Sequence, residues 1–165
     1  MGNATETVET KSAYTDAGAS ASDTLDGSLT VTSVSTVNTD TVGSYSVTYS
    51  VSDANGNAAA NVVRTVNVVD TTKPVITMLG NAIETVEAKG IYTDAGASAS
   101  DTLDGNLSGS VTSVSTVNTD AVGSYSVTYS VSDANGNAAA SVVRAVSVVD
   151  TTKPVITLAG NVTET

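Results

Sequence analysis

The sequence contains no cysteine, histidine, tryptophan or phenylalanine. Disulfide bonds are therefore excluded, and so are catalytic centres that need a thiol or an imidazole. With six tyrosines as the only aromatic residues, the core has to be built from valine, isoleucine, leucine, alanine and tyrosine. Because small domains bury proportionally less surface, such a thin core needs a further source of stability. Stacked repeats and a bound metal ion remain as candidates.

Basic residues are also scarce, with 6 lysines and arginines against 17 aspartates and glutamates and a net charge of −11. Nucleic-acid binding needs clustered lysine and arginine to neutralise phosphates, so this balance argues against it. An excess of negative charge favours the attraction of cations instead. Aspartate outnumbers glutamate, a bias typical of turns, caps and calcium-binding loops. No apolar run approaches the ~18 residues of a membrane-spanning helix.

Two long stretches of the sequence occur twice. The segment Val42–Ala60, VGSYSVTYSVSDANGNAAA, is identical to Val122–Ala140, and VVDTTKPVIT is present at both Val68–Thr77 and Val148–Thr157. The copies are offset by 80 residues, the difference between Val42 and Val122. The second copy carries a two-residue insertion around Ser108-Gly109, which indicates a tolerated loop change.

These copies divide the chain into three parts. Residues 1–70 form a first repeat that lacks its opening strand, residues 71–150 form a complete second repeat, and residues 151–165 are the opening strand of a third. That last segment is either an orphan from an arbitrarily cut array or a donor strand that completes the first repeat of another chain. Strand donation would build a head-to-tail fibre with neighbouring copies of the chain as partners. A cut array would make adjacent repeats the partners.

The segment SYSVTYSVSD has the clearest strand pattern. Tyr45, Val47 and Tyr49 alternate with serine and threonine, which is the period of a half-buried antiparallel strand. The Asn55-Gly56 pair that follows predicts a hairpin. In the next strand Arg64 falls in phase with the valines, which predicts either a bulge or an arginine whose head group reaches solvent. No window shows a convincing helical period.

About seven short strands in each repeat describe a β-sandwich. The segment Asp120–Val127, DAVGSYSV, resembles the tyrosine-corner signature of immunoglobulin folds, with Val127 in the place of the cysteine and the Tyr125 hydroxyl bonded to nearby backbone. The full pattern, DTTKPVITMLG through YTDAGASASDTLDG to VVD, resembles the bacterial immunoglobulin-like repeats of large surface proteins and adhesins, and a related domain of pesticidal crystal proteins. The resemblance implies an all-β fold class: tandem immunoglobulin-like antiparallel β-sandwiches arranged as a rod on the bacterial cell surface.

Aspartate and asparagine concentrate in loops that the implied immunoglobulin topology would bring to the junction of the repeats. The predicted metal site consists of Asp70, Asp101, Asp104, Asp133 and Asn135, with Asp23, Asp26, Asp53, Asn55 and Asp150 as their equivalents. Asp40 and Asp16 are expected to face the junction from the first repeat. A set of oxygen ligands suits calcium and not zinc. Ordinary turn chemistry, in which each aspartate caps its own loop, explains the same residues without a metal.

These features predict a structural extracellular module with calcium-stiffened junctions, either the spacer or stalk of a surface adhesin or a subunit of a fibre. The alternative is a glycan- or protein-binding adhesive module, which predicts an exposed aromatic cluster. The alternating strands instead place most of the tyrosines inward. An enzyme is not expected, because neither a nucleophile–base pair nor an aromatic-lined cleft with paired carboxylates is recognisable.

Overall fold

The computed structural model of the chain describes residues 3–160, so Met1, Gly2 and residues 161–165 of the third-repeat segment lie outside the described residues. Among the described residues, the strands of the first repeat are β1 Thr5–Glu9, β2 Ala21–Asp23, β3 Gly27–Leu29, β4 Thr32–Ser35, β5 Gly43–Ser50 and β6 Val62–Val69. Those of the second repeat are β7 Val75–Met78, β8 Ile83–Glu87, β9 Ala97–Asp101, β10 Gly105–Asn106, β11 Thr112–Ser115, β12 Gly123–Ser130 and β13 Val142–Val149. The two-residue insertion lies in a short 3₁₀ turn, Ser108–Ser110. Within the described part of the chain, no helix has the length and apolarity that a membrane crossing needs.

Each repeat contains one four-stranded sheet with the same strand order. The order is β1-β6-β5-β4 in the first repeat and β8-β13-β12-β11 in the second. A smaller sheet consists of β2 and β3 in the first repeat and of β7, β9 and β10 in the second. In the second repeat one hydrophobic cluster joins Ile76 and Ala99 of the small sheet to Val127 and Tyr129 of the large one. This two-layer packing confirms the predicted all-β sandwich.

The first strand of each four-stranded sheet departs from a wholly antiparallel sandwich. Thr5–Glu9 pair in parallel with Thr65–Val69, and Ile83–Glu87 pair in parallel with Ala145–Val149. Parallel neighbours need a long crossover connection, and here the rest of the repeat supplies it. The strand that opens each four-stranded sheet, β1 or β8, therefore lies beside the last strand of its repeat.

The alternating tyrosine and valine strand fills the core as its pattern predicts. In β12, Val127 and Tyr129 are each 1% exposed. The buried valines of the paired strand β13 are Val146 and Val148. The hydroxyl of Tyr125 donates to the carbonyl of Ala121 at 2.9 Å, which confirms the predicted tyrosine corner.

The arginine in phase with these valines is buried, so the prediction of a bulge or of a solvent-reaching head group is wrong. Arg144 is 0% exposed, and β13 pairs with β12 without a bulge. Its guanidinium forms an ion pair with Asp94 and lies over the Tyr129 ring, 5.7 Å from the ring centre. The Tyr129 hydroxyl donates to the two Asp94 oxygens at 2.7 and 2.8 Å. A partner 50 residues away in the sequence thus compensates the buried charge.

Arg64, Asp16 and Tyr49 form the same trio in the first repeat. The Tyr49 hydroxyl donates to Asp16 at 2.6 Å, and burial together with this hydrogen bond raises the pKa of Tyr49 to about 12. Burial also raises the pKa of Asp16, but hydrogen bonds from Tyr49 and the Gly18 amide and the charge of Arg64 outweigh it and leave that pKa below its usual value. The expectation that Asp16 faces the junction is therefore wrong.

The Asn55-Gly56 pair forms a turn within a longer connection, not a two-residue hairpin. Residues 51–61 separate β5 from β6. Gly56 adopts a φ of +86°, which glycine tolerates without strain. The Asp53 carboxylate accepts hydrogen bonds from the amides of Asn55 and Asn57 at 3.0 and 2.7 Å. An antiparallel bridge between Ser52 and Ala58 closes a short hairpin around this turn, so the predicted hairpin is present inside the longer connection.

The small sheet of the first repeat has an open edge where the second repeat has β7. Strand β9 lies between β10 and β7, whereas β3 is the one described strand that pairs with β2. A groove of about 400 Å³, called the open groove below, lies beside β2, and its apolar lining includes Ala21, Val31, Tyr49, Val51 and Val62. Val62 is 63% exposed, whereas the equivalent Val142 is packed against the core cluster of the second repeat.

Candidate functional site

Three carboxylates from separate parts of the chain converge where the first repeat enters the second. Asp70 follows β6, Asp101 ends β9, and Asp133 lies in the loop between β12 and β13. One oxygen from each of the three lies within 4.8 Å of the other two. Asp70 and Asp133 are each only 8% exposed. These three residues are called the junction carboxylates below.

The loop that contains Asp133 holds the linker between the repeats directly. The side-chain amide of Asn135 donates to the Asp70 carboxylate at 2.8 Å, and that of Asn137 donates to the Asp70 carbonyl at 3.1 Å. Asp133 in turn accepts hydrogen bonds from the backbone amides of Asn135 and Asn137. Burial raises the pKa of Asp133, but the hydrogen bond from the Asn137 side-chain amide at 2.7 Å, together with these backbone bonds, outweighs it and holds that pKa below its usual value. The carboxylate therefore stays ionised at neutral pH.

Asp104 joins the two loops of the second repeat without belonging to the junction carboxylates. One of its oxygens accepts a hydrogen bond from the Ala134 amide at 2.7 Å. Asp101 uses Oδ1 to accept hydrogen bonds from the Leu103 and Asp104 amides. Asp101 Oδ2 is shielded from solvent and has no hydrogen-bond partner among residues 3–160. A buried carboxylate oxygen without a donor is costly, so this atom calls for a ligand that the protein itself does not provide.

The charge at the junction is uncompensated. Within residues 3–160, none of the three junction carboxylates forms an ion pair with lysine or arginine. Carboxylates at this separation repel one another strongly away from bulk water. Two oxygens bound to one calcium ion lie at most about 5 Å apart, because each sits 2.3–2.6 Å from the ion. The spacing and the oxygen-only chemistry therefore fit a divalent cation, and calcium binding stays a prediction.

The equivalent residues do not form a second site within the chain. Asp23 caps Leu25 and Asp26, Asp26 accepts from Ala54, and Asp53 accepts from Asn55, so the two loops of the first repeat have the same internal geometry. Asp150, the equivalent of Asp70, follows β13 at the end of the second repeat, where it is exposed. Among the described residues, only the junction carboxylates converge in this way.

Asp40 does not contribute to the junction carboxylates. It forms an ion pair with Lys11 at 2.9 Å, and its side chain is 72% exposed. Asp120 and Lys89 form the same pair in the second repeat at 2.8 Å. An exposed ion pair of this kind adds little stability. Lys11 lies two residues after Glu9 in the sequence, and that Asp40 faces the junction stays a prediction.

Sequence reasoning missed Glu9, which fastens the linker from the side of the first repeat. Its two carboxylate oxygens accept four hydrogen bonds at 2.8–3.1 Å from the amides and hydroxyls of Thr71 and Thr72. Glu87 holds Thr151 and Thr152 in the same way. The only signal in the sequence was that a glutamate recurs in both repeats, 62 residues before Thr71 at Glu9 and 64 residues before Thr151 at Glu87.

Glu9→Gln is expected to loosen the linker. The amide group of glutamine cannot accept at its nitrogen, so hydrogen exchange of the Thr71 and Thr72 amides should become roughly tenfold faster. Hydrogen bonds from Thr71, its backbone amide first, lower the pKa of Glu9 below the ordinary value of 4.5. The stabilisation of the linker by ionised Glu9 is therefore fully present above pH 4.5, and it is lost as the pH falls through the lowered pKa of the folded state.

The matched control is Glu87→Gln, which should accelerate exchange only at Thr151 and Thr152. Amide exchange measured by NMR reports both linkers in one experiment. If exchange at Thr71 is unchanged in Glu9→Gln, then the hydrogen bonds from Glu9 do not hold the linker.

The chain matches a known protein family over both repeats. The family described as "Bacterial surface protein, Ig-like domain" matches residues 1–68 and again residues 76–148. The chain belongs to this family. Membership in the bacterial surface Ig-like family confirms the resemblance predicted from the sequence, and it indicates a surface or extracellular location. Domains of this kind are typically non-catalytic. Among curated proteins, no sequence matches the chain.

Solved structures share parts of the fold of this bacterial surface Ig-like chain. A lipoprotein from Bacteroides thetaiotaomicron is 21% identical over 49% of this chain and 40% of its own, with a TM-score of 0.43. The CBM51-2 and INT domains of ZmpB from Clostridium perfringens, solved with GlcNAc, are 27% identical over 47% of this chain and 17% of their own, with a TM-score of 0.38. The chain thus spans less than half the length of either protein.

Proposed function

We propose that the chain is a structural spacer of the bacterial cell surface, located outside the cell, in which consecutive Ig-like repeats keep a fixed mutual orientation. The observation that carries this proposal is the burial of the linker at the junction. Asp70 is 8% exposed, and side chains of the second repeat bind both its carboxylate and its carbonyl. A flexible tether would leave these groups in water. A stiff connection of this type suits the stalk of an adhesin or a segment of a fibre.

Glu9 adds to the stiffness from the opposite side of the linker. It accepts hydrogen bonds from Thr71 and Thr72, directly after Asp70. The linker is therefore held by the first repeat through Glu9 and by the second through Asn135 and Asn137. Bending the junction would break bonds on one side or the other.

Residual dipolar couplings test the fixed orientation. If the proposal holds, the backbone amides of both repeats fit one common alignment tensor, because the repeats reorient as a single body. Glu9→Gln combined with Asn137→Ala should separate the tensors, while Glu87→Gln should not. Two independent tensors in the unmodified chain, in the presence of calcium, would contradict the proposed spacer role.

A calcium ion at the junction carboxylates is the second part of the proposal. Asp70 comes from the linker, whereas Asp101 and Asp133 come from two loops of the second repeat. An ion bound to all three would offset their repulsion and give the buried Asp101 Oδ2 a partner. Such an ion would join the linker to the second repeat in addition to the hydrogen bonds from Asn135 and Asn137.

Calcium is expected to raise the melting temperature of the second repeat. At a calcium concentration about 100 times Kd, the stabilisation is roughly 2.7 kcal/mol. For a domain of this size, that energy corresponds to a rise of about 10 °C or more. Differential scanning calorimetry with added calcium, and then with a chelator, measures the change.

Asp101→Asn should abolish this calcium response, since it removes one of the three charges while its Oδ1 can still cap the loop. The matched control is Asp23→Asn, the same change in the first repeat, which should leave the response intact. An equal melting temperature with calcium and with chelator would end the metal proposal and leave the spacer proposal standing.

The alternative of an adhesive module for glycans or proteins lacks the aromatic platform that it predicts. None of the six tyrosines is exposed. Those that are buried or half-buried are Tyr14, Tyr45, Tyr49, Tyr92, Tyr125 and Tyr129. Stacking on sugars or on partner side chains needs an exposed ring face. The spacer is therefore the function that the described residues support best.

A further inference from the structure

We propose that the open groove of the first repeat binds residues 154–158 of a second copy of the chain as an added antiparallel strand. The inference rests on the proposed spacer function and deepens it by assigning the partner. It also assigns a role to two features that the junction does not use. These are the unpaired edge of β2 and the exposed segment 151–160.

The second repeat shows how such a groove is filled. Strand β7 pairs antiparallel with β9, with Ile76 opposite Ala99 and Met78 opposite Ala97. Ile76 is 8% exposed and packs in a cluster with Val131. The open groove has the same lining, because the strands and loops around it repeat in sequence. The ligand that fits it is therefore a strand with the sequence of β7.

The chain carries that sequence a second time, and within the described part of the chain it is exposed. Thr151–Thr157 is identical to Thr71–Thr77, and Leu158 stands where β7 has Met78. Residues 151–160 form no strand, and Val155, Ile156 and Leu158 are 88, 93 and 77% exposed. An extended apolar segment of this kind loses exposed surface by pairing with a free sheet edge.

The register follows from the β7–β9 pairing. Ile156 of the second copy would lie opposite Ala21, and Leu158 opposite Ala19. Ile156 would then cover Val51, which is half-buried in the first repeat, whereas its equivalent Val131 is 6% exposed under Ile76. The added strand also extends the two-stranded β2–β3 sheet to the three strands of the second repeat.

Strand addition would rebuild the junction between the two copies. Asp150 of the second copy would approach Asp23, Asp53 and Asn55 of the first in the way that Asp70 approaches Asp101, Asp133 and Asn135. The equivalent residues that form no site within one chain would thus form one across two chains. Calcium is therefore expected to strengthen the association.

The geometry also sets where the donated strand ends. In the second repeat the chain runs from β7 through residues 79–82 into β8. In the first repeat, residues from Asn3 onward already occupy the course that leads into β1, with Ala4 bonded to Thr65. The donated chain therefore has to leave the groove after Leu158, and residues 161–165 are not needed for binding.

Analytical ultracentrifugation of two variants tests the proposal, one with an altered donor strand and one with an altered groove. Ile156→Asp with Leu158→Asp removes the donor strand, and both side chains are exposed in the chain itself, so folding is unaffected. Ala21→Glu blocks the open groove while leaving the donor intact. Each variant alone should sediment as a monomer, whereas an equimolar mixture should form a one-to-one dimer. The unmodified chain should form longer assemblies that grow with concentration and with calcium.

Val155→Asp is the matched control, because its equivalent Val75 is 64% exposed within β7; this variant should assemble like the unmodified chain.

A peptide of residues 151–160 supplies a second measurement. It should raise the melting temperature of the first repeat in the variant with Ile156→Asp and Leu158→Asp, whereas the same peptide with Ile156→Asp should not. The proposal is overturned if the unmodified chain is a monomer, or if the variant with Ile156→Asp and Leu158→Asp still assembles. Neither result affects the orientation of the two repeats within one chain, which tests the spacer function separately.

Discussion

Asp94→Ala is expected to destabilise the second repeat more than any other single change considered. Arg144 is 0% exposed and would lose its carboxylate partner, and Tyr129 would lose its hydrogen-bond acceptor. Unpairing a buried charge costs about 3–5 kcal/mol, and the lower end applies because the Asp94 side chain is itself 26% exposed. The second repeat should lose about 3 kcal/mol of its free energy of unfolding. Urea unfolding monitored by amide exchange resolves each repeat separately.

Two controls separate charge pairing from simple loss of packing. Asp94→Leu combined with Arg144→Met replaces both charges with apolar groups and should recover much of the loss. Asp16→Ala makes the same change in the first repeat, where Arg64 is 4% exposed, so a loss of the same order is expected there. If the double replacement is as unstable as Asp94→Ala, the unpaired charge is not the cause.

Ile76→Ala is expected to have the second largest effect. Ile76 is buried between the two sheets of the second repeat. Removing its side chain beyond Cβ leaves a cavity there, which the neighbouring side chains fill only in part. The expected loss is roughly 2–4 kcal/mol in the free energy of unfolding of the second repeat. Chemical denaturation measures it.

Val75→Ala is the control for this change, because Val75 is 64% exposed on the same strand and its truncation should cost less than about 0.5 kcal/mol. Ile156→Ala, the equivalent change in the third-repeat segment, should leave the stability of the monomer unchanged. Equal losses for Ile76→Ala and Val75→Ala would show that strand pairing, and not burial of the isoleucine, holds β7 in place.

The sequence was sufficient where local chemistry decides the structure. The alternation around Tyr125, Val127 and Tyr129 has a single solution in a two-layer sandwich, so the buried face and the tyrosine corner were both predictable. The repeated sequence also predicted that the first repeat lacks the opening strand that β7 supplies in the second. The open edge of β2 follows from it.

The sequence was insufficient where two distant residues decide the structure together. A buried arginine contradicts every local rule until Asp94 is found beside it, and no pattern connects positions 94 and 144. Glu9 likewise resembles an ordinary surface residue of β1 until the threonines of the linker fold back onto it. The convergence of Asp70, Asp101 and Asp133 was predictable only through the implied immunoglobulin topology, because these residues are far apart in the sequence.

The parallel pairing of β1 with β6 determines how the first repeat responds to tension. A pull on the chain enters the first repeat at Thr5 and leaves it at Val69, so it acts along β1 and β6 in opposite directions. The hydrogen bonds between Thr5–Glu9 and Thr65–Val69 lie across that load and must yield together, whereas bonds in a hairpin pulled at its open end yield one at a time. Resistance to rupture under flow or traction is therefore a property of the strand order itself.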